Sequence, residues 1–275
     1  MTDRLAEQTI ADFGRQWTAY RDSDGYYGSV EIFRDMFGPL LAPGDLAGRR
    51  VLEIGSGSGR IVRILLALGA AHVTAVEPSA AFDVLSDNLR AEAGKVTLLR
   101  QTGDQVPPSG DQDYVFSIGV LHHIPDPDPV VRAAYGALRP GGRLGVWLYG
   151  REGNRLYLAL LDPLRVVTKR LPHPVLAALV RVADLALVGY VALCRFLPLP
   201  LRRYMREVIA RLDGPKRRLT IYDQLNPAHA KYYTRAEAVG LLGQAGFQEI
   251  AVHHRHGYSW SVMGIRPGGG EDGRR

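Results

Sequence analysis

The sequence predicts a doubly wound α/β fold: a seven-stranded sheet with helices on both faces and a mostly helical insertion after the fifth strand. Three observations predict it. Strand-like and helical runs alternate from Arg50 to about Tyr149, the pattern of parallel strands joined by crossover helices. The first strand runs directly into a loop of alternating glycines, Gly55-Ser56-Gly57-Ser58-Gly59. Beyond Tyr149 the alternation stops, and a long apolar stretch precedes one last helix and two strand-like runs.

The elements follow in order. VLEIG, from Val51 to Gly55, is a buried strand, and IVRILLALG after it has helical apolar spacing and stops at Gly69. HVTAVE (His72 to Glu77) is the second strand and AFDVLSDNLRAEAG the second helix. VTLLRQ is the third strand, DYVFSIG (Asp113 to Gly119) the fourth and GRLGVWLY (Gly142 to Tyr149) the fifth. Between the last two, DPVVRAAYGALRPGG reads as a helix closed by Pro140 and a glycine turn. TRAEAVGLLGQAG is a helix with a threonine cap at Thr234 and a glycine stop at Gly246; FQEIAVHHR and YSWSVMGIRP complete the sheet, as an antiparallel pair on one reading.

A chain of 275 residues buries a real core, and its 46% hydrophobic and 23% charged residues exclude disordered and fibrous classes. The parts are an N-terminal helical segment (1–47), a ligand-binding core (48–150), an insertion (151–226), a C-terminal helix and strands (227–266) and a tail (267–275) expected to be disordered. The net charge of +6 does not by itself imply nucleic acid, and the single cysteine, Cys194, excludes an internal disulfide framework and a multi-cysteine zinc site. With no secretory apolar core in MTDRLAEQTIADFGRQW, a cytoplasmic setting is expected.

A strand entering a glycine loop and then a helix brings backbone N–H groups close to a ligand, and glycine is needed because a side chain would block the approach. Nicotinamide enzymes favour G-x-G-x-x-G, whose third glycine allows close helix packing beside a pyrophosphate. Here the pattern is Glu53-Ile54-Gly55-Ser56-Gly57-Ser58-Gly59. An acid two positions before the first glycine would repel a pyrophosphate and attract an amino group.

That E-x-G-x-G-x-G pattern resembles motif I of class I S-adenosylmethionine-dependent methyltransferases of the small-molecule type, similar to the ubiquinone/menaquinone-type domain. The resemblance runs over roughly residues 48–150 and implies a Rossmann-like sheet and S-adenosyl-L-methionine as cofactor. By it, Glu53, Gly55, Ser56, Gly57 and Gly59 form the cofactor loop, Glu77 with Pro78 takes the ribose, and Asp104 with Gln105 in TGDQVP meets the adenine amino group. VLHHIPDP, following Gly119, which by the resemblance also borders the cofactor, is similar to the family's stretch after strand four, and LRPGGRLGVW to the turn into strand five. An N-P-P-Y-type tetrapeptide, the family's mark of amide or adenine N-methylation, is replaced by Gly119-Val120-Leu121-His122. That lowers nucleic-acid bases and leaves O-, N- or C-methylation of a metabolite. A nicotinamide-dependent oxidoreductase and a non-catalytic cofactor-binding scaffold are the rival readings.

His123 and His122 are candidate general bases, against the alternative that they pack on the cofactor. FGRQWTAYRDSDGYYG resembles a cofactor lid, in which Trp17 and Tyr20 suit a sulfonium and Arg21 a carboxylate; an amphipathic helix on the sheet is the competing account. IYDQLNPAHAKYYT resembles a loop that approaches the acceptor, making Tyr222, Asp223, His229 and Tyr233, with Tyr149 at the end of strand five, candidates for its pocket. His253, His254 and His256 lack a completing ligand, so a solvated strand and no metal is expected.

The run from Val175 to Leu201 is apolar, but Arg181, Asp184 and Arg195 on one narrow stripe argue against a transmembrane helix. Beside it lie Arg202, Arg203, Arg206, Arg211, Lys216, Arg217 and Arg218. A substrate lid, a membrane or lipid-like surface over 175–218 and a homodimer contact all fit, in that order of preference.

Overall fold

The computed structural model describes residues 2–22, 24–168, 170–225 and 229–268. The expected disorder of the tail falls on 269–275, outside the described residues, as do residues 226–228 of the acceptor loop. Seven strands form one sheet in the order β3-β2-β1-β4-β5-β7-β6. They are β1 (Arg50–Ile54), β2 (His72–Val76), β3 (Val96–Leu99), β4 (Gln112–Ile118), β5 (Leu138–Tyr149), β6 (Gln248–Arg255) and β7 (Ser259–Ile265). The first five are parallel; β7 enters antiparallel to both β5 and β6, with Val146 opposite Val262 and Val252 opposite Val262. The fifth strand begins at Leu138, four residues ahead of the sequence expectation, because its pairing with β4 resumes across an irregularity at Gln112.

Helices cover both faces. On one, α2 (Val30–Phe37), α3 (Arg60–Ala67) and α4 (Ala81–Asn88) bury Phe37, Ile64 and Leu85 against Val51 and Phe116. On the other, α5 (Asp128–Ala137) and α10 (Arg235–Gly243) bury Val131 and Leu242 against Val115 and Val146. The Thr234 cap forms as the sequence implies: its hydroxyl accepts from Glu237 N–H at 3.2 Å, and the Glu237 carboxylate accepts from Thr234 N–H at 2.8 Å. Helix α1 (Thr2–Ala19) lies across the start of α4, where Gly14 allows close approach: a Cβ there would sit 3.1 Å from Ser79 Cβ and 3.2 Å from Ala80 N.

The insertion is α6 (Arg155–Thr168), α7 (His173–Phe196), α8 (Arg202–Glu207) and α9 (Gly214–Leu225). Leu161 of α6, Leu176 and Val180 of α7 and Leu225 of α9 form its core. The polar stripe on α7 divides. Asp184 turns inward and pairs with Arg217 at 2.8 Å and Arg218 at 3.4 Å, whereas Arg181 and Arg195 stay exposed. The neighbouring cations are therefore not a bare basic patch. Arg211 pairs with Glu31, Lys216 is buried and donates to the Asp22 carbonyl, Arg203 pairs with Glu207, and Arg202 caps α7 by donating to Cys194 O at 2.8 Å.

The C-terminal histidines are not solvated as expected. His254 stacks on Trp260 with ring centroids 4.0 Å apart, and His256 lies between Asp35 at 2.8 Å and Glu207 at 3.3 Å. Cys194 is buried in α7.

Candidate active site

The strand order reverses between β1 and β4, and in open α/β sheets ligands bind in the crevice that such a reversal opens at the carboxyl ends of the strands. A cavity of about 380 Å³ lies there. Gly55 after β1, Glu77 and Pro78 after β2, Asp104 after β3 and Gly119 after β4 line it, and Thr9, Ile10, Phe13 and Trp17 of α1 form its roof. Each acid stands at a strand end because the loops there, unlike the apolar strands, can leave a carboxylate facing a cleft.

Glu77 is 5% exposed. Its Oε2 accepts from Gly57 N–H at 2.8 Å and its Oε1 from Ser79 N–H at 2.9 Å, which fixes the carboxylate while leaving each oxygen a lone pair for a ligand hydroxyl. Glu53 is 1% exposed beneath the loop, and its Oε2 has no hydrogen-bond partner. Burial pushes its carboxyl up to about 8, opposed by a contact from Ser56 and the charge of Arg60. A buried acid with an orphan oxygen is the environment an ammonium group would relieve.

The glycines have separate reasons. Gly55 has φ 81°, and a Cβ would fall 2.4 Å from Val120 Cγ2. Gly57 has φ 54°, and its open side is covered by the Trp17 indole, 3.2 Å from where a Cβ would be. Gly59 faces Leu85 and Leu89; Ser56 is buried with its hydroxyl on Glu53 O at 3.4 Å; Gln105 closes a capping turn with Thr102. Glu53, Ser56, Gly57, Gly59 and Gln105 thus lie outside the cavity lining and shape the walls instead.

Of the three candidates in and just past α1, Trp17 lines the cavity, and Tyr20 and Arg21 do not. Arg21 is exposed beyond the helix end, its Nε donating to Thr18 O at 3.2 Å, and it does not line the cavity. Phe13, one helical turn before Trp17, was not legible as a site residue. Nothing marks it in sequence except the i, i+4 spacing.

The two histidines differ. His123 is buried and lines the cavity; its Nδ1 lies 2.7 Å from the His229 carbonyl, which as a hydrogen bond makes Nδ1 the donor and leaves Nε2 with a lone pair. Burial pulls its pKa down, against the opposing charge of Asp223. His122 is fully buried off the cavity, its ring 3.9 Å from that of Tyr149, with neither nitrogen hydrogen-bonded and its pKa driven well down by burial. That is a packing position, not one for a base.

A second cavity of about 450 Å³ shares Phe13, Trp17, Ile118 and Gly119 with the first. Its walls are largely apolar, with Leu161 and Leu164 from α6, Leu179 and Leu187 from α7 and Met205 from α8. One group of its polar residues is joined by hydrogen bonds. Tyr149 donates to Asp223 Oδ2 at 2.8 Å, and Gln224 Oε1 accepts from Tyr157 at 3.1 Å and Tyr232 at 2.7 Å. Tyr233, expected here, is in the sheet core: its N–H donates to Tyr149 O at 2.8 Å and its carbonyl accepts from Trp260, which turns the ring inward. Tyr232 takes its place at the cavity. Tyr222 packs with Leu161 and Leu176 in the insertion core, and His229 contributes its carbonyl to His123.

Comparison with known proteins agrees with this geometry. Residues 52–144 match the family model described as a methyltransferase domain. The chain is 30% identical over 121 residues to the ubiquinone biosynthesis O-methyltransferase of Marinobacter nauticus, covering 42% of this chain and 50% of that protein. It is 36% identical over 109 residues to the tRNA U34 carboxymethyltransferase of Shewanella pealeana, covering 38% of this chain and 32% of that one. The chain thus spans half or less of the length of these relatives. An O-methyltransferase family protein from Burkholderia thailandensis shares the fold, with a TM-score of 0.54 at 15% identity over 88% of this chain and 58% of that one. The glycine loop, the acids at the ends of β2 and β3 and the matched segment together show that this chain carries a class I S-adenosylmethionine-dependent methyltransferase domain.

Proposed function

We propose that the protein transfers the methyl group of S-adenosylmethionine to a small-molecule acceptor held in the second cavity. The observation that carries this is the junction of the two cavities at Ile118 and Gly119. A cofactor in the first would present an electrophilic sulfonium methyl toward the second. Glu77 would accept from the ribose hydroxyls, Asp104 would meet the adenine amine, and Glu53, behind the loop wall and not in the lining, would bear on the ammonium end once the loop admits it. An acceptor electron pair would attack the methyl carbon as the carbon–sulfur bond breaks, that bond's electrons staying on sulfur. Alignment supplies much of the acceleration, because methyl transfer from a sulfonium demands no strong base. Where the acceptor is an O–H or N–H group, His123, which lines the cofactor cavity and whose Nδ1 is engaged by the His229 carbonyl, would take the proton on Nε2.

The cavity size and apolar walls favour a metabolite, including a lipid-like one, over the tRNA of one relative. O-, N- and C-methylation all remain compatible with it. A cytoplasmic setting with peripheral membrane contact through the insertion belongs to the same reading, with a homodimer as the rival use of that face. Calorimetric titration tests the proposal: S-adenosylmethionine should bind and NADH should not, and binding of NADH alone would overturn it. Incubation with labelled cofactor and cell extract then identifies the acceptor. With it in hand, His123→Asn should lower turnover roughly a hundredfold if His123 is the base. A raised KM for cofactor with unchanged turnover would make it a packing residue.

A further inference from the structure

Among the described residues, the large apolar side chains that stand exposed all fall between Leu156 and Leu197, on the outer faces of α6 and α7 and just past them. Leu185 is 75% exposed and Phe196 82%. Helix α7 is long and apolar enough to cross a membrane, with 22% of its apolar window buried. It does not cross here, because its inner face is packed: Leu176 and Val180 sit in the core of the insertion and Asp184 is held by Arg217 and Arg218. What remains is a helix packed along one face with an unpartnered apolar side.

The charges around that side are of one sign. Between Arg155 and Arg206 the acids are Asp162 and Asp184, and both are engaged, with Arg165 at 3.3 Å and with the α9 arginines. Arg155, Arg170, Arg181, Arg195 and Arg206 are exposed and make no ion pair among the described residues. A second copy of the chain would have to bury these like charges against each other, whereas anionic headgroups would neutralise them while the apolar side chains sink to the acyl boundary. The same helices wall the acceptor cavity, and Leu164 is both 43% exposed and part of its lining.

We infer that the outer faces of α6 and α7 lie in the plane of an anionic bilayer surface, with the five unpaired arginines at the headgroups, so that the acceptor cavity opens beside the lipid. This deepens the membrane contact proposed above and is independent of methyl transfer, so vesicle binding and cofactor titration fail separately. The test is flotation of the full chain with phosphatidylcholine vesicles, with and without phosphatidylglycerol, at low and high salt. The wild type should float with the anionic vesicles at low salt and be released by salt. Arg181→Gln with Arg195→Gln should weaken binding about thirtyfold, and Leu185→Glu should abolish it; both should retain cofactor affinity, which reports their folding. Failure of the wild type to float with anionic vesicles overturns the inference. So does a dimer in solution that Leu185→Glu converts to monomers.

Discussion

Glu77 and Glu53 are two buried acids with opposite situations. Glu77 has two backbone donors and a view of the cavity, so Glu77→Ala should weaken S-adenosylmethionine binding by about 2 kcal/mol in titration while the fold survives. Unchanged affinity in a folded variant would remove Glu77 from the ribose site. Glu53 holds its proton to about pH 8, whereas an unfolded glutamate releases it near 4.5. The folded state therefore binds the extra proton between those values, and its contribution to stability is lost as pH rises through that window. Ligand-free protein should lose on the order of a few kcal/mol of stability from pH 5 to pH 8. Glu53→Gln should flatten that slope, measured by denaturant unfolding at each pH, and should weaken binding of the cofactor. A wild-type profile that is already flat would mean the carboxyl is not isolated. Both acids were legible in sequence, because a strand end beside a glycine loop restricts what an acid can do there. Arg21 was not: it was assigned by charge type, and the end of α1 sends it to solvent instead.

At the scale of elements, the regular strands and crossovers were legible because burial on both faces leaves a simple apolar signature. The acceptor loop was not. Tyr232 and Tyr233 are indistinguishable as residues, and what separates them is the bridge from Tyr233 to Gly150, a tertiary pairing that decides which ring faces the cavity. Cations after α7 were hidden in the same way: as a run they suggest a bare basic patch, but Asp184, Glu31 and Glu207 lie far enough away in sequence, or close enough by helical turn, to absorb four of the seven. The seating of α1 was also hidden. A lone glycine inside a helix reads as a weakness, yet Gly14 is where the helix meets the Ser79–Ala80 backbone. Gly14→Val should lift α1 from this contact and loosen the roof of the cofactor cavity. The expected outcome is at least a tenfold rise in the dissociation constant for S-adenosylmethionine, with little change in far-ultraviolet circular dichroism. An unchanged constant would show that the helix tolerates the bulk without moving.

The molecule as a whole is a mixed, mostly parallel sheet carrying two cavities side by side, closed on one side by α1 and on the other by the helices of the insertion. Phe13 and Trp17 belong to both enclosures. That shared wall couples the traffic of the two ligands. Trp17 covers the glycine loop and also lines the acceptor space, so a cofactor leaving past it would displace a residue against which the acceptor rests. Turnover should then be sequential and ordered, with the nucleotide first to arrive and last to depart. S-adenosylhomocysteine would inhibit competitively against S-adenosylmethionine and noncompetitively against the acceptor, whereas random order would make each product compete independently. Trp17→Ala, by separating the two exits, should abolish the ordering and speed nucleotide release in stopped-flow displacement.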